Sequence, residues 1–185
     1  MSTTSPEFKR FSFNSFLLLG VDENFPEWSS AKVGIANLGL NVRPTDQLRI
    51  SGTWNYEFYN RRTDGTRVLT RNVPRVRVEY QVTRQVFVRI IGEVARLQQD
   101  SLRDDSRTNL PVYFRGSNGT LTRAAAFDRL RGRLDFLFSY LPTPGTVVYF
   151  GYGNTPRADR PGGTRDLQPN RDVFFAKLSY LFRLR

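Results

Sequence analysis

The stretch QLRISGTWNYEFYNR, Gln47 to Arg61, decides the fold. Its even positions are Leu48, Ile50, Gly52, Trp54, Tyr56 and Phe58. Its odd positions are Arg49, Ser51, Thr53, Asn55, Glu57, Tyr59 and Arg61. Successive side chains of a strand point to opposite faces, so this alternation marks a long β-strand with two unlike neighbours.

The same parity recurs along the chain. From Arg67 to Gln81, Val68, Pro74, Val76, Val78 and Tyr80 oppose Arg71, Arg75, Arg77, Glu79 and Gln81. From Arg129 to Tyr140, Leu130, Gly132, Leu134, Phe136, Phe138 and Tyr140 oppose Arg129, Arg131, Arg133, Asp135, Leu137 and Ser139. Val86, Val88, Ile90, Gly92 and Val94 oppose Gln85, Phe87, Arg89, Ile91 and Glu93. Gly34, Ala36, Leu38, Leu40 and Val42 oppose Val33, Ile35, Asn37, Asn41 and Arg43. The closing RDVFFAKLSYLFRLR, Arg171 to Arg185, sets Phe174, Ala176, Leu178, Tyr180, Phe182 and Leu184 against Phe175, Lys177, Ser179, Leu181, Arg183 and Arg185. Residues 145–154 are apolar on both rows, and the first segment, about 10–21, is ambiguous in register. Pro74 lacks an N–H and marks a bulge or a boundary in its strand. TRAAAFDRL is the one short helix candidate.

That makes eight strand candidates, most of about 9–14 residues. Soluble strands are usually about five or six long, whereas strands crossing a bilayer at a tilt need about 9–11. The connections carry a second signal. RPTD, VTRQ and LPTPG are tight turns, while DENFPEWSS, RRTDG, about 98–128 and about 155–171 are longer or polar. Short and long alternate, as the periplasmic turns and extracellular loops of outer-membrane barrels do. The expected fold is therefore all-β: an antiparallel up-and-down transmembrane β-barrel of about eight strands, or the C-terminal part of a larger one. It would occupy residues 11–185, after a flexible segment 1–10, with both termini on the periplasmic side.

Under this reading the aromatics sort into two interfacial girdles. Trp54, Tyr56, Phe58 and Tyr152 form the outer one; Tyr80, Tyr140, Tyr180 and Phe182 form the inner one. The opposite row lines the lumen. Its charged members are Arg49, Arg71, Arg75, Arg77, Arg89, Arg129, Arg131, Arg133, Lys177 and Arg183, against Glu57, Glu79, Glu93 and Asp135. A hydrated interior with salt bridges is the plainer reading of this row, and an anion-attracting path the sharper one. Eight strands enclose a space that side chains just fill, so one chain makes no wide pore.

Composition narrows the alternatives. Hydrophobic residues make up 39% and aromatics 14%, too many for a disordered chain. The net charge is +11, nearly all from arginine; Lys9, Lys32 and Lys177 are the lysines. Without cysteine there is no disulfide or thiolate metal site. Without histidine the commonest acid–base catalyst is missing, so an enzyme ranks third, and no cofactor is expected. No apolar run reaches the roughly 18–20 residues of a membrane helix, and MSTTSPEFKR lacks the apolar core of a secretory signal. The second-ranked function is a soluble basic β-barrel that binds single-stranded nucleic acid. Such binders place aromatics and cations on one surface; here they lie mostly on opposite rows. The carboxylates of DSLRDDS, 100–106, read as a solvated loop rather than a calcium site, and Asn118-Gly119 as a turn.

Three stretches also resemble a known family: NVPRVRVEYQVTRQVFVRIIGEV, LDFLFSYLPTPGTVVYFGYG and DVFFAKLSYLFRL. They are similar to the C-terminal β-barrel region of a bacterial outer-membrane family of unknown function. Its long members carry an N-terminal domain similar to family-nine carbohydrate-binding modules. The resemblance spans roughly residues 45–185. It implies a place in the bacterial outer membrane with the lipid bilayer as partner. The closing strand also resembles the aromatic terminal signal read by the barrel assembly machinery, though Leu184 and Arg185 follow the last aromatic. Anionic solutes are the partners that the arginine row itself suggests. The carbohydrate-binding-like domain has no counterpart here, so sugar binding is not carried over, and the family supplies no catalytic residues. On this resemblance the chain is a C-terminal piece or a short relative.

Overall fold

Alternating side chains build strands, and the computed structural model, which describes residues 1–159 and 164–181, contains little else. The strands are β1 (Ser2–Thr4), β2 (Phe11–Asn24), β3 (Ser29–Val42), β4 (Leu48–Arg61), β5 (Arg67–Gln81) and β6 (Val86–Gln99). They continue with β7 (Tyr113–Arg115), β8 (Leu121–Arg123), β9 (Phe127–Thr143), β10 (Thr146–Asn154), β11 (Arg157–Asp159) and β12 (Asp172–Tyr180). Single 3-10 turns occupy Phe25–Glu27 and Thr164–Asp166. TRAAAFDRL forms no helix: Leu121–Arg123 is β8, and Phe127 opens β9.

The long strands form one antiparallel meander in the order β1-β2-β3-β4-β5-β6-β9-β10-β12, with β11 attached to β9 and a separate β7-β8 hairpin. Residues opposite each other in an antiparallel pair share a face. Trp54 is opposite Leu38 and Pro74, Ile90 is opposite Val78 and Phe136, and Tyr152 is opposite Phe136 and Phe174. The even rows of seven strands thus lie on one face. β2 joins that face through its odd row, because Phe11, Phe13, Leu17 and Leu19 stand opposite Val42, Leu40, Ala36 and Gly34. This fixes the register that the first segment's own pattern leaves open.

One rung of that face runs Phe11–Val42–Ile50–Val78–Ile90–Phe136–Tyr152–Phe174. It starts at the first residue of β2 and ends well inside β12. Such stagger is what a sheet needs in order to roll up with tilted strands. The short connections 43–47, 82–85 and 144–145 all lie at one end. Gly145, at φ 94°, takes a conformation other residues avoid. The connections 25–28, 62–66, 100–126 and 155–171 lie at the other end.

One expectation is corrected. Pro74 marks neither a bulge nor a boundary. It sits opposite Trp54, and pairing with β6 breaks after Asn72–Arg96 and resumes at Arg75–Glu93 in unchanged register. The irregularity of β5 lies instead at Tyr59/Asn60 on its β4 side. Among the described residues the sheet does not close into a barrel. Within segment 1–10, β1 pairs with Asn14–Phe16 and so takes part of the outer edge of β2, while β12 pairs only with β10 among the described residues.

Burial divides the faces. Ala31, Val33, Ile91 and Ser139, all on the charged row's side, are buried. The apolar side stays open, with Leu178 69%, Phe174 66% and Val76 50% exposed. A small core of Val68, Leu102 and Ala124, packed by Tyr59, Leu69 and Val112, holds the 100–126 loop against the long-loop end.

Candidate functional site

The charged face is built rung by rung. Arg49, Glu79 and Arg89 stand side by side on β4, β5 and β6; Thr53, Arg75, Glu93 and Arg133 form the next rung but one on the same face, through β9. Three of the four carboxylates are spoken for. Glu93 pairs with Arg75 at 3.6 Å, Asp135 with Arg133 at 2.7 Å, and Glu79 with Arg77. The fourth, Glu57, is opposite Arg71 in register without an ion pair. Arg129 lies over the Phe127 ring at 4.4 Å. Among the described residues, Arg49, Arg71, Arg89, Arg131 and Lys177 have no carboxylate within ion-pair distance. This face therefore carries a real surplus of positive charge. Arg183 lies outside the described residues.

The other face gathers the aromatics. Trp54 stacks on Tyr56 at 5.6 Å, and Tyr56 lies 6.1 Å from Phe58, a row that runs from the middle of β4 toward the long loops. The Trp54 indole N–H donates to Asn72 Oδ1 at 2.7 Å. Arg67 sits 5.0 Å over Phe58 and donates to the Tyr56 hydroxyl at 3.1 Å. Tyr152 packs on Phe174 at 4.8 Å and donates to Asp172 at 2.8 Å. Tyr80, Tyr140 and Tyr180 lie near the short-turn ends of β5, β9 and β12. Phe182 falls outside the described residues. Beyond the Trp54 level the face turns polar on β5, β6 and β9, with Asn72 and a 2.6 Å Arg96–Asp128 ion pair, while Tyr56 and Phe58 continue the aromatic row on β4. The apolar surface is thus a band rather than the whole strand length.

A third group, at the long-loop end, escapes sequence reasoning. Arg61 and Glu27 are both buried and their charged atoms lie 2.6 Å apart. Arg61 also donates to Asp100 at 2.8 Å and to the Ser101 carbonyl at 3.0 Å. Glu27 accepts from Asn24 Nδ2 at 2.9 Å and from the Arg103 amide at 3.1 Å. Arg103 bridges Asp64 at 2.7 Å and Asp105 at 3.0 Å. The 100–106 segment is therefore pinned down rather than freely solvated. Burial pushes the Asp100 carboxyl up, but hydrogen bonds from Arg61 and Ser101 outweigh this and hold it below the ordinary carboxylate value. The Thr66 hydroxyl and then Arg103 hold Asp64 far below that value, and the Thr108 and Ser106 hydroxyls lower Asp104. Among the described residues, no three of His, Cys, Asp or Glu are arranged to hold a metal ion. In the β7-β8 hairpin Asn118 Oδ1 accepts from the Thr120 amide at 3.1 Å, with Gly119 at φ 81°, the turn its sequence suggests.

The only sequence signal for the third group is the charge of its members. Arg61 ends the odd row of β4, but nothing local marks Glu27, 34 residues earlier, as its partner. No protein-family model matches the chain, and no curated protein or solved structure matches it.

Proposed function

We propose that this chain is an integral outer-membrane β-barrel protein without catalytic activity, serving as an anchor or as a narrow path for small anionic solutes. One observation carries the reading: an exposed apolar face runs unbroken across eight strands while the arginines collect on the opposite face. A soluble protein rarely exposes so large a contiguous apolar surface. The two aromatic groups, set apart along the strands, suit the headgroup regions of a bilayer. The resemblance proposed for residues 45–185 would imply the same placement and the same partners, lipid and the barrel assembly machinery, although no family model matches the chain.

Hydrocarbon does not tolerate unpaired strand edges. In the bilayer the free edge of β2 must therefore find a partner. Alternation along the meander makes β12 antiparallel to β2, so β12 is competent to pair with it once β1 moves aside. Pairing with another copy or with a further barrel segment would satisfy the edges equally. Nucleic-acid binding is the weaker alternative, because bases stack on aromatics at the surface where phosphates meet cations.

The test begins with refolding the chain in detergent and comparing unheated with heated samples on a gel. A compact, heat-modifiable band that requires detergent is expected. A detergent-independent soluble monomer that binds oligonucleotides overturns the proposal. Planar-bilayer conductance then separates path from anchor.

A further inference from the structure

We infer that the short-turn end of the charged face is a seat for a phosphate-bearing polyanion. A cavity of about 940 Å³ lies there, within or near the size of small-molecule sites. Four cations line it: Lys9, Arg10, Arg43 and Arg49. The two acids in its wall are Asp46 and Glu79. Glu79 is already neutralised by Arg77, so positive charge dominates the space. A second cavity of about 240 Å³, with Glu7 in its wall, shares Arg43 and Arg49.

The backbone places these charges together. The Arg43 amide donates to the Arg10 carbonyl at 2.7 Å, joining the start of β2 to the end of β3. The Arg10 guanidinium donates to the Pro44 carbonyl at 3.2 Å, which positions it without cancelling its charge. The Leu48 amide donates to Thr45 Oγ1 at 3.1 Å, closing the turn that brings Arg43 near Arg49. Lys9, Arg43 and Arg49 form no ion pair among the described residues. Like charges held this close repel one another, and a multivalent anion relieves that repulsion. Guanidinium groups match phosphoryl oxygens by paired N–H donation, so phosphate is the favoured chemistry. The phosphoryl group has two sources, a soluble oligophosphate or an anionic phospholipid headgroup. The seat rests on the reading of this face as anion-attracting, and not on closure of the sheet.

The test uses the full chain refolded in zwitterionic detergent, with folding scored by the heat-modifiable band. Tripolyphosphate is titrated by calorimetry. In a parallel arm, cardiolipin, whose headgroup carries two phosphates, is added to the micelles and binding is followed by retention of the lipid with the protein on gel filtration. Saturable, salt-sensitive binding in either arm is expected, and the arm that responds identifies the source. Arg43→Gln and Arg49→Gln should each weaken it by about tenfold, the usual effect of losing one charged hydrogen bond. Arg43→Lys should weaken it less, and Arg115→Gln, on β7, should leave it unchanged. Folded protein that binds neither probe overturns the seat while leaving the barrel reading intact. So does binding that Arg43→Gln and Arg49→Gln do not weaken. Loss of the band in the wild type counts against the barrel instead, and the titration is then run on the soluble protein without detergent.

Discussion

The Arg61 guanidinium and the Glu27 carboxylate meet at 2.6 Å with almost no solvent access to either. The pair joins the β2-β3 turn to the end of β4, and through Asp100 and Ser101 it ties down the start of the 100–126 loop. Removing one member leaves a buried charge without its partner. Arg61→Met should therefore destabilise the fold by about 3–5 kcal/mol, and adding Glu27→Leu should recover part of the loss. Urea unfolding of the two variants and the wild type measures both effects.

The same loop should loosen in acid. Asp64, Asp100 and Asp104 have folded pKa values below the ordinary 3.8. The unfolded chain therefore takes up protons first as pH falls. The stabilisation is complete above the unfolded value and is lost as pH drops from 3.8 through the folded values. Amide protection at Leu102, Val112 and Ala124, whose N–H groups bond within the loop, should be flat above pH 5 and fall below about pH 4. Protection that starts to fall near neutrality would contradict this assignment.

Val76 offers a direct test of what touches the apolar face, since it is 50% exposed. Val76→Arg in a bilayer should cost about 2–4 kcal/mol near the midplane. On a water-exposed sheet the same change is worth within about 0.5 kcal/mol. Refolding titrations into vesicles, with Ser51→Arg on the opposite face as control, distinguish the two.

Phe175 lies across Gly151 on the charged face, where a Cβ would strike its ring. Gly151→Val should destabilise by about 1–3 kcal/mol through overpacking. Phe175→Ala in the same chain should cancel part of that cost, giving a measurable coupling in a double-mutant cycle.

Thr3 stands opposite Ser15 where β1 occupies the edge of β2. A disulfide between Thr3→Cys and Ser15→Cys should lock β1 in place. If β12 closes the barrel against β2, the oxidised protein loses the compact band and reduction restores it. An identical band in both states rules out that closure.

The strands were legible because their signal is local. A two-residue period needs only neighbours, so Gln47–Arg61 and Arg67–Gln81 declare their faces without knowledge of their partners. β2 was harder, since it carries apolar side chains on both rows and only its pairing with Val42 and Leu40 fixes which row joins the apolar face. Pro74 misled for a related reason. Its missing N–H interrupts one ladder, while register is held by the many pairs on either side.

By itself the sequence determined the all-β class, the alternation of short and long connections, and the segregation of arginine from aromatic rows. All of these follow from the pleat and from turn chemistry within a few residues. Only the tertiary structure decided that Glu27 answers Arg61, that Lys9, Arg10, Arg43 and Arg49 surround one cavity, and that β1 holds the edge β12 would need. Those relationships join distant parts of the chain, and no local pattern encodes which charge will meet which once strands have paired.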